Sequence, residues 1–523
     1  MKLTPEQLIE QSNKLFDAQY PMLSMWQMLA DNFYPERADF TTIRNTGEEL
    51  SDSLIDSYPI LARRDMANSL SAMLRTDDWF QMSSNNANPG YDGRAWLQWA
   101  TGRMYNLMGD RRSNFTRATK EADHDYVTFG QPVLSVEPNR TRDGLLYRCW
   151  HLRDCAWFDG DDGQVCAVHR KWKPKLHELS RIFGDRIHAE LLRCKDREPF
   201  KEVSVRHIFM PADMYGDEKL AERFQYVSIF IDVDRKFVME EVGLNYKMYV
   251  VPRFQTISGS PYAYSAATVV ALPNSRLIQA MTHTLLEAGE RYTRPPIIAT
   301  QKAVRSDVNL SADGITWVSD TYDEKMGAAL RTLQQDRGGF PIGLELRDDV
   351  KGVIDSAFYL NKLSPPDLGR EMTAYEFSER MKAYRRENLP LFAPIEAEYS
   401  GQLCETSFEI AMQLGLLGSP YDIPETLRNN DVEFKFKSPL SEQDEEKKRN
   451  TFMQVAEMLG TASQFDQTVN RDISISNALR DAVQGIGAPS AWIVPPETAA
   501  EVKQQDMMAA LAAQAAEQGM LNE

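Results

Sequence analysis

Apolar side chains recur at helical spacing through the first part of the chain. The period is close to 3.6 residues in 8–33 and again in 61–74, which predicts an amphipathic helix in each range. Thr4 and Gln7 have the spacing of a capping box, and Pro5 suits the first position of a helix. The sequence therefore predicts that the first helix begins at Pro5.

The middle of the chain changes to the period of two that is typical of strands. Residues 94–129 still have a helical pattern, but short alternating runs fill 133–256. An acidic turn at Asp159–Gly163 joins two such runs into a predicted β-hairpin, and a short helical insertion is expected at 174–183. The pattern predicts a β-rich region between two helical regions, and hence a mixed α+β fold.

A second helical region follows a turn at Gly259–Pro261. We expect a helix over Asn274–Tyr292, capped by Asn274 or Ser275 and ended by the two prolines at 295–296. Helical spacing predicts that one stripe of this helix is apolar. The stripe consists of Leu277, Met281, Leu285 and Ala288.

The last third of the chain is predicted to be largely helical. Glycines indicate a loop at Gly338–Gly343, and a shorter helix is expected over Asp349–Leu363. A capping box opens a very long helical stretch at 373–417, which its internal prolines must kink or interrupt. A strand and a further helix are predicted across 432–459, and the tail at 497–523 is rich in Ala, Gln and Met.

Composition narrows the class of protein only slightly. With 523 residues the chain is too long for a single core, so several subdomains are expected. No run approaches the roughly 18 apolar residues that span a bilayer, and the start lacks a signal peptide, so we expect cytosolic synthesis without export. The net charge of −17 argues against a protein that grips nucleic acid over its whole surface. It remains compatible with a conduit through which DNA slides.

A search for enzyme chemistry finds no recognised motif. The sequence contains no P-loop, nucleophile elbow, HExxH or GxGxxG pattern. The cysteines and histidines between 149 and 169 match no zinc-site spacing, and the five cysteines are predicted to be free and mostly buried. Acidic clusters at 159–162 and 348–349 fit solvated turn and helix-cap roles better than metal binding. We predict no catalytic residue, cofactor or metal.

The order of motifs in 250–296 resembles that of one family. A Gly-Ser-Pro turn, tyrosines, an Ala-Leu-Pro sequence, a polar-faced helix and a final Pro-Pro are similar to the pattern of the portal, or head-to-tail connector, proteins of short-tailed bacteriophages. A Trp-Phe pair at 79–80 and Phe-Gly at 129–130 fit the same pattern. Gln-Pro at 131–132 departs from it, because that family usually has Thr-Gly there. The resemblance covers about 1–496.

The resemblance implies a subunit built from wing, stem, clip and crown regions. The wing would be 1–273, the first stem helix 274–293, the clip 294–346 and the second stem helix 347–363. The tunnel loop would be 364–372, the long kinked wing helix 373–431, the crown 432–496 and a helical or flexible tail 497–523.

The resemblance also implies a function. Such subunits form a ring, here expected to be a dodecamer, at one capsid vertex, through which double-stranded DNA passes non-specifically in packaging and ejection. The implied partners are the terminase large subunit, tail adaptor and tail proteins, capsid and scaffold protein, with no membrane. The protein would be assembled in the host cytoplasm and found in the virion. Asn361, Lys362 and Arg370 would flank the tunnel loop, and the two cations would contact phosphates transiently.

Two other classes of function stay open at this point. One is a different structural virion protein, such as a tail adaptor or an internal scaffold, although an adaptor would be shorter and would lack this order of elements. The other is a metal-dependent enzyme that acts on nucleic acid.

Overall fold

A computed structural model gives the fold of most of the first 294 residues and of several later segments. It describes residues 2–44, 47–48, 50, 54–75, 78–85, 90–294, 297–299, 330–332, 339–363, 395–428, 432–436, 451–459, 479 and 483. Helices and strands are both present, so the prediction of a mixed α+β fold is confirmed.

The helices of the described part are numbered in chain order. They are α1 (Pro5–Phe33), α2 (Tyr58–Leu74), α3 (Gly90–Met108), α4 (Phe115–Phe129), α5 (Leu176–Phe183), α6 (Ala189–Cys194), α7 (Ala212–Tyr215), α8 (Glu218–Ala221), α9 (Leu272–Thr293), α10 (Gly339–Ala357), α11 (Leu360–Leu363) and α12 (Gln402–Gln413). Residues 451–459 are also helical.

The strands of the described part form four antiparallel sheets. They are β1 (Phe80–Ser84), β2 (Val133–Pro138), β3 (Leu145–Trp150), β4 (Cys155–Asp159), β5 (Val165–Trp172), β6 (Val205–Pro211), β7 (Tyr226–Asp232), β8 (Phe237–Leu244), β9 (Tyr249–Val250), β10 (Ile297–Ala299), β11 (Leu330–Thr332) and β12 (Val432–Phe436). The sheet orders are β4-β5-β6-β7-β8, β3-β2-β9, β1-β12 and β10-β11.

Helix α1 joins the two main parts of the fold. Its capping box forms as predicted, because the Thr4 hydroxyl accepts from the amide of Gln7 and the Gln7 side chain accepts from the amide of Thr4. Near its start, Leu8 is buried on one face of the five-stranded sheet. Near its end, Trp26 and Phe33 belong to the largest core, among the helices. One 29-residue helix therefore contributes to two separate cores.

The prediction of one helical stretch over 94–129 is wrong in one respect, because these residues form two helices. The Asp110 carboxylate accepts from the amide of Arg112, and Asn114 follows with a φ of 57°. Asp and Asn side chains compete with helix continuation in this way, and Asn tolerates the left-handed conformation. Helix α3 therefore ends at Met108 and α4 begins at Phe115.

The hairpin around the acidic turn is confirmed, with β4 paired to β5. The apolar run that precedes it, predicted as one arm, instead forms two strands in different sheets. A short helical turn at Leu152–Asp154 separates them, and its His151 side chain accepts from the amide of Arg153. Strand β3 joins the three-stranded sheet, whereas β4 is the edge of the five-stranded sheet.

Buried ion pairs connect α4 to the segments that follow α1 and α2. The Asp125 carboxylate accepts from the Arg37 guanidinium at 2.7 Å, and Asp123 pairs with Arg75. Both carboxylates are almost completely buried. Tyr399, which precedes α12, donates to Asp123 at 2.9 Å. Residues far apart in the sequence are thus held by two carboxylates that lie on different sides of one helix.

A strand late in the chain pairs with a strand near its beginning. Strand β12 pairs with β1 over five residues, so Phe436 lies opposite Phe80. The start of the further helix predicted within 432–459 lies outside the described residues, as does most of the very long helical stretch predicted over 373–417. Its described end is the helical segment 395–413.

Candidate functional site

The most distinctive feature of the fold is an antiparallel pair of long helices, α9 and α10. Leu285 in the second half of α9 contacts Gly343 near the start of α10, where a β-carbon would lie 2.8 Å from a Leu285 methyl group. Val270, just before α9, shares a cleft with Val353 near the end of α10. The two helices therefore run in opposite directions.

Helix α9 begins differently from the prediction. It continues from a π-helical turn at Ala267–Ala271, in which the amide of Leu272 donates to the carbonyl of Ala267. Pro273 lies in the first turn of α9, where its missing amide hydrogen is not needed, so the helix has already begun before Asn274. The caps predicted at Asn274 and Ser275 are therefore wrong, and both residues lie inside the helix. Asn274 donates to the carbonyl of Val270 at 2.7 Å.

Helix α10 also differs from the prediction at both ends. It begins at Gly339, not Asp349, so most of the predicted Gly338–Gly343 loop is helical. Pro341 is compatible with this because the first turn of a helix has no use for its amide hydrogen. The helix stops at Ala357, and Tyr359 has a φ of 56°, so the one-turn helix α11 is separate.

A short segment of the body, Leu54–Tyr58, binds both helices, and we call it the clamp segment. The Gln279 side chain of α9 accepts from the amides of Ile55 and Asp56, each at 2.8 Å, and donates to the carbonyl of Asp56 at 2.6 Å. On α10, Asp355 accepts from the Tyr58 hydroxyl at 2.6 Å. Burial and this bond to Asp355 raise the pKa of Tyr58.

Apolar contacts hold the end of α10 against the body. Ile354 and Phe358 are completely buried. The Phe358 ring packs edge-on against Phe33 at the end of α1, with 5.5 Å between centroids. The Lys351 ammonium lies 5.0 Å from the centre of the Tyr58 ring. This end of the helix pair is therefore attached to the body by both polar and apolar contacts.

The apolar stripe predicted for α9 is only partly correct. Leu285 contacts α10, but Leu277 is 46% exposed. The fully or nearly buried positions are Leu272, Ser275 and Ile278, on a neighbouring side of the helix. The sequence pattern did not predict which side of α9 is buried, because the helix has two apolar sides and only packing decides which of them is covered.

The second apolar side of the pair is exposed, and we call it the apolar face. It is formed by Val270, Leu277, Ile342, Leu346 and Val353, each of which is at least 42% exposed. A cleft of about 600 Å³ adjoins it at the end nearest the body. The cleft is lined by residues of the π-helical turn and by Asp349, Gly352, Val353 and Ser356.

The segments on either side of the Gly-Ser-Pro turn lie against the Phe-Gly-Gln sequence at the base of α9. Gln131 accepts from the amide of Ala263 at 2.6 Å, and the Ser265 hydroxyl donates to the carbonyl of Thr128 at 2.7 Å. The carbonyl of Gly130 accepts from the amide of Phe254 at 2.8 Å. The two motifs singled out in the sequence thus form one contact that fixes the start of the helix pair.

The residues predicted for the tunnel loop are placed only in part. Asn361 and Lys362 lie in α11 at the body end of the helix pair, and both are exposed. Asn361 donates to the Ser356 hydroxyl at 3.3 Å. Arg370 and the predicted loop 364–372 lie outside the described residues. The structure therefore does not test their contact with DNA.

Other classes of site find no support in the part of the chain that is described. Within it, no three His, Cys, Asp or Glu residues are grouped so that they could hold a metal ion. Asp159 of the acidic turn is paired with Arg253 at 3.0 Å. Burial raises the pKa of the Cys155 thiol to about 12, as expected for a structural cysteine. Among the described helices, none has the length and apolar character needed to cross a membrane.

Comparison with known proteins identifies the family. Residues 6–494 match the family described as bacteriophage head to tail connecting protein. The chain is also similar to the portal protein of Salmonella phage epsilon15, with 18% identity over 526 aligned positions that cover 98% of this chain and 93% of that protein. The match spans the helical body, the sheets and the helix pair. The chain therefore belongs to the bacteriophage head-to-tail connecting protein family.

Proposed function

We propose that this chain is the portal subunit of a phage and forms a closed ring at one capsid vertex. The observation that carries the proposal is the antiparallel helix pair α9 and α10, which joins the body at one end and exposes an apolar face along its length. A family match over almost the whole chain supports it. In this role the protein is a passive conduit for DNA, and no residue has a catalytic part.

The regions of the subunit follow from this role. We propose that the body is the wing, made of residues 1–273 and 373–431, and that α9 and α10 are the two stem helices. The clip, expected at 294–346, would then end at 338, because α10 begins at Gly339. The tunnel loop would be 364–372 and the crown 432–496. The pairing of β12 with β1 favours a crown that begins after Phe436, because residues 432–436 belong to a sheet of the body.

The partners follow from the same role. The clip would bind the terminase large subunit during packaging and the tail adaptor afterwards, and the wing would contact capsid and scaffold protein. Double-stranded DNA would pass through the ring without sequence recognition. The ring would be assembled in the host cytoplasm and remain in the virion.

The first test is the particle formed by the purified chain. Mass photometry with negative-stain microscopy should show closed rings with a central hole, and a dodecamer of the 59.7 kDa chain is expected. Rings of another number would correct the stoichiometry alone. A stable monomer or dimer at all salt and protein concentrations would argue against a portal.

A second test addresses the passage of DNA. If Lys362 and Arg370 contact phosphates, the double substitution Lys362→Glu and Arg370→Glu should leave rings intact but reduce packaging or retention of DNA in particles. The control is a Gln substitution at both sites, which removes the charge without reversing it and should have a smaller effect. Unchanged DNA filling in both variants would remove these residues from the mechanism.

A further inference from the structure

Helix α1 covers one face of the five-stranded sheet, and the contact under its middle is polar. Near the start of the helix, Leu8 packs in the core of that face together with Ala167 of β5. Two turns later, the centre of the Phe16 ring lies 3.8 Å from the Lys171 ammonium and 5.2 Å from the Arg206 guanidinium carbon. Eight residues of helix and four residues of strand span similar lengths, about 12 and 13 Å, so α1 and β5 run side by side here.

The two cations beside Phe16 lie directly opposite each other on neighbouring strands. Lys171 of β5 is the cross-strand partner of Arg206 of β6, and like charges in this position repel each other. Asp17 and Asp154 favour the charged form of Lys171 from a distance, but in the part of the chain that the structure describes neither forms an ion pair with it. Burial and the neighbouring Arg206 lower the pKa of Lys171, and burial lowers the pKa of Arg206. The two positive charges are therefore not compensated by an acid in contact with them.

Buried polar groups without partners lie next to this pair of cations. His169 precedes Lys171 by two residues on the same face of β5, and Ser12 precedes Phe16 by one helical turn. Both His169 and Ser12 are buried, and their ring nitrogens and hydroxyl have no hydrogen-bond partner among the described residues. The Arg206 Nε atom is likewise buried without an acceptor there. A buried donor without an acceptor is costly, so several of them together indicate that an acceptor comes from outside the chain.

We propose that Lys171 and Arg206 bind a free tetrahedral oxyanion of the phosphate class. Two cations neutralise a dianion, whereas a single carboxylate would leave one of the two charges uncompensated. An ammonium and a guanidinium donate in different directions, which suits a ligand with several oxygens. The open side of the site is next to Asn13, which is exposed and accepts from Arg206 at 3.3 Å. Because α1 covers the other side, the site suits a small free anion better than a phosphate of a nucleic-acid strand. All of these residues belong to one chain, so the inference does not depend on the proposed ring.

Thermal unfolding of the full chain tests the site. At constant ionic strength and pH 7, replacement of chloride by phosphate up to about 50 mM should raise the melting temperature by about 1–2 °C. The double variant Lys171→Gln and Arg206→Gln should lose this rise, and its melting temperature in chloride should not fall, because the repulsion between the two cations is removed. The matched control is Lys236→Gln, which removes a lysine paired with Glu6 at 2.9 Å and should keep the wild-type rise. An equal rise in all three proteins would be the general effect of phosphate on proteins and would overturn the proposal.

Lysine labelling provides a second test that needs no substitution. An acetylating reagent reacts with the neutral amine, and a bound anion keeps the Lys171 ammonium charged and covered. Phosphate should therefore slow the acetylation of Lys171 by about threefold or more, with the exposed Lys173 as the internal reference. Unchanged labelling of Lys171 in phosphate would overturn the site. A short DNA duplex at the same phosphate concentration should protect Lys171 less, and equal protection would overturn the assignment to a free anion.

Discussion

Gly130 lies so close to the backbone of Tyr264 that a β-carbon there would be 2.6 Å from the Tyr264 carbonyl carbon. Gly130 also has a φ of 82°, which L side chains rarely adopt. The contact joins the end of α4 to the segment that leads into α9. We predict that Gly130→Ala lowers the free energy of unfolding by roughly 2–5 kcal/mol, since left-handed strain and a backbone clash add. Urea denaturation of the variant and of the wild-type chain measures this difference in unfolding free energy.

Gly163 provides the control for this prediction. It has a φ of 72°, but no atom lies within 4 Å of its added β-carbon. Gly163→Ala should therefore lower the free energy of unfolding only by the conformational strain, about 1–2 kcal/mol. Equal losses in the two variants would show that the close approach to Tyr264 contributes nothing.

The Arg37–Asp125 pair should be a major contributor to stability. Asp125 is almost completely buried and accepts from Arg37 at 2.7 Å, so removal of the cation leaves a buried charge without its partner. Arg37→Ala should lower the free energy of unfolding by about 3–5 kcal/mol. Arg117→Ala, which breaks an exposed pair with Glu121, should change it by less than about 1 kcal/mol. Similar effects in both variants would contradict the prediction.

His169 should make the fold less stable in mild acid. It is buried, neither ring nitrogen has a hydrogen-bond partner within the described structure, and burial and nearby Arg206 lower its pKa to about 4. The unfolded chain therefore binds the proton more readily between about pH 6.5 and pH 4, and stability is lost as the pH falls through this window. Between pH 7 and pH 5, this one residue should lower the free energy of unfolding by about 2 kcal/mol.

The substitution His169→Leu tests that assignment. A leucine has no proton to bind, so the difference in unfolding free energy between pH 7 and pH 5 should shrink by about 2 kcal/mol relative to the wild type. A variant with the wild-type pH dependence would show that other groups are responsible.

Gln279 should control local opening at the junction of the helix pair and the body. Its side chain is the acceptor for two amides, those of Ile55 and Asp56. In Gln279→Ala, hydrogen exchange at these two amides should accelerate by about one to two orders of magnitude, because each loses a bond worth roughly 1 kcal/mol or more. Thr284→Ala, at an exposed position of the same helix, is the control. Unchanged exchange in the clamp segment would contradict the role given to Gln279.

Features that depend on adjacent residues could be predicted from the sequence. The capping box at Thr4 and Gln7 requires only a spacing of three, and it forms as predicted. The short strand-like runs are likewise sufficient to place β5 to β8, although β6 and β7 are buried on both faces. The existence of α9 followed from its helical period, since 22 residues is too long for a strand.

Features that depend on tertiary contacts could not be predicted in the same way. Asn274 is a favourable capping residue in isolation, but the chain before it is already helical and continues from the body. Gly343 looked like part of a loop, whereas it is a helical position that must be small to admit Leu285. The predicted stripe of α9 is divided for a similar reason: Leu285 contacts α10 whereas Leu277 is exposed, and the sequence does not contain the position of α10.

The 29-residue helix α1 has a mechanical consequence for the assembled protein. At 1.5 Å per residue it is about 43 Å long, with one end packed on the sheet and the other in the helical core. No loop interrupts this helix, but Pro21 in its interior removes one backbone hydrogen bond and makes that position the easiest one to bend. The helix ends at Phe33, which touches Phe358 beside the helix pair. A displacement of the five-stranded sheet should therefore be transmitted along α1 toward the helix pair, with bending of α1 concentrated near Pro21.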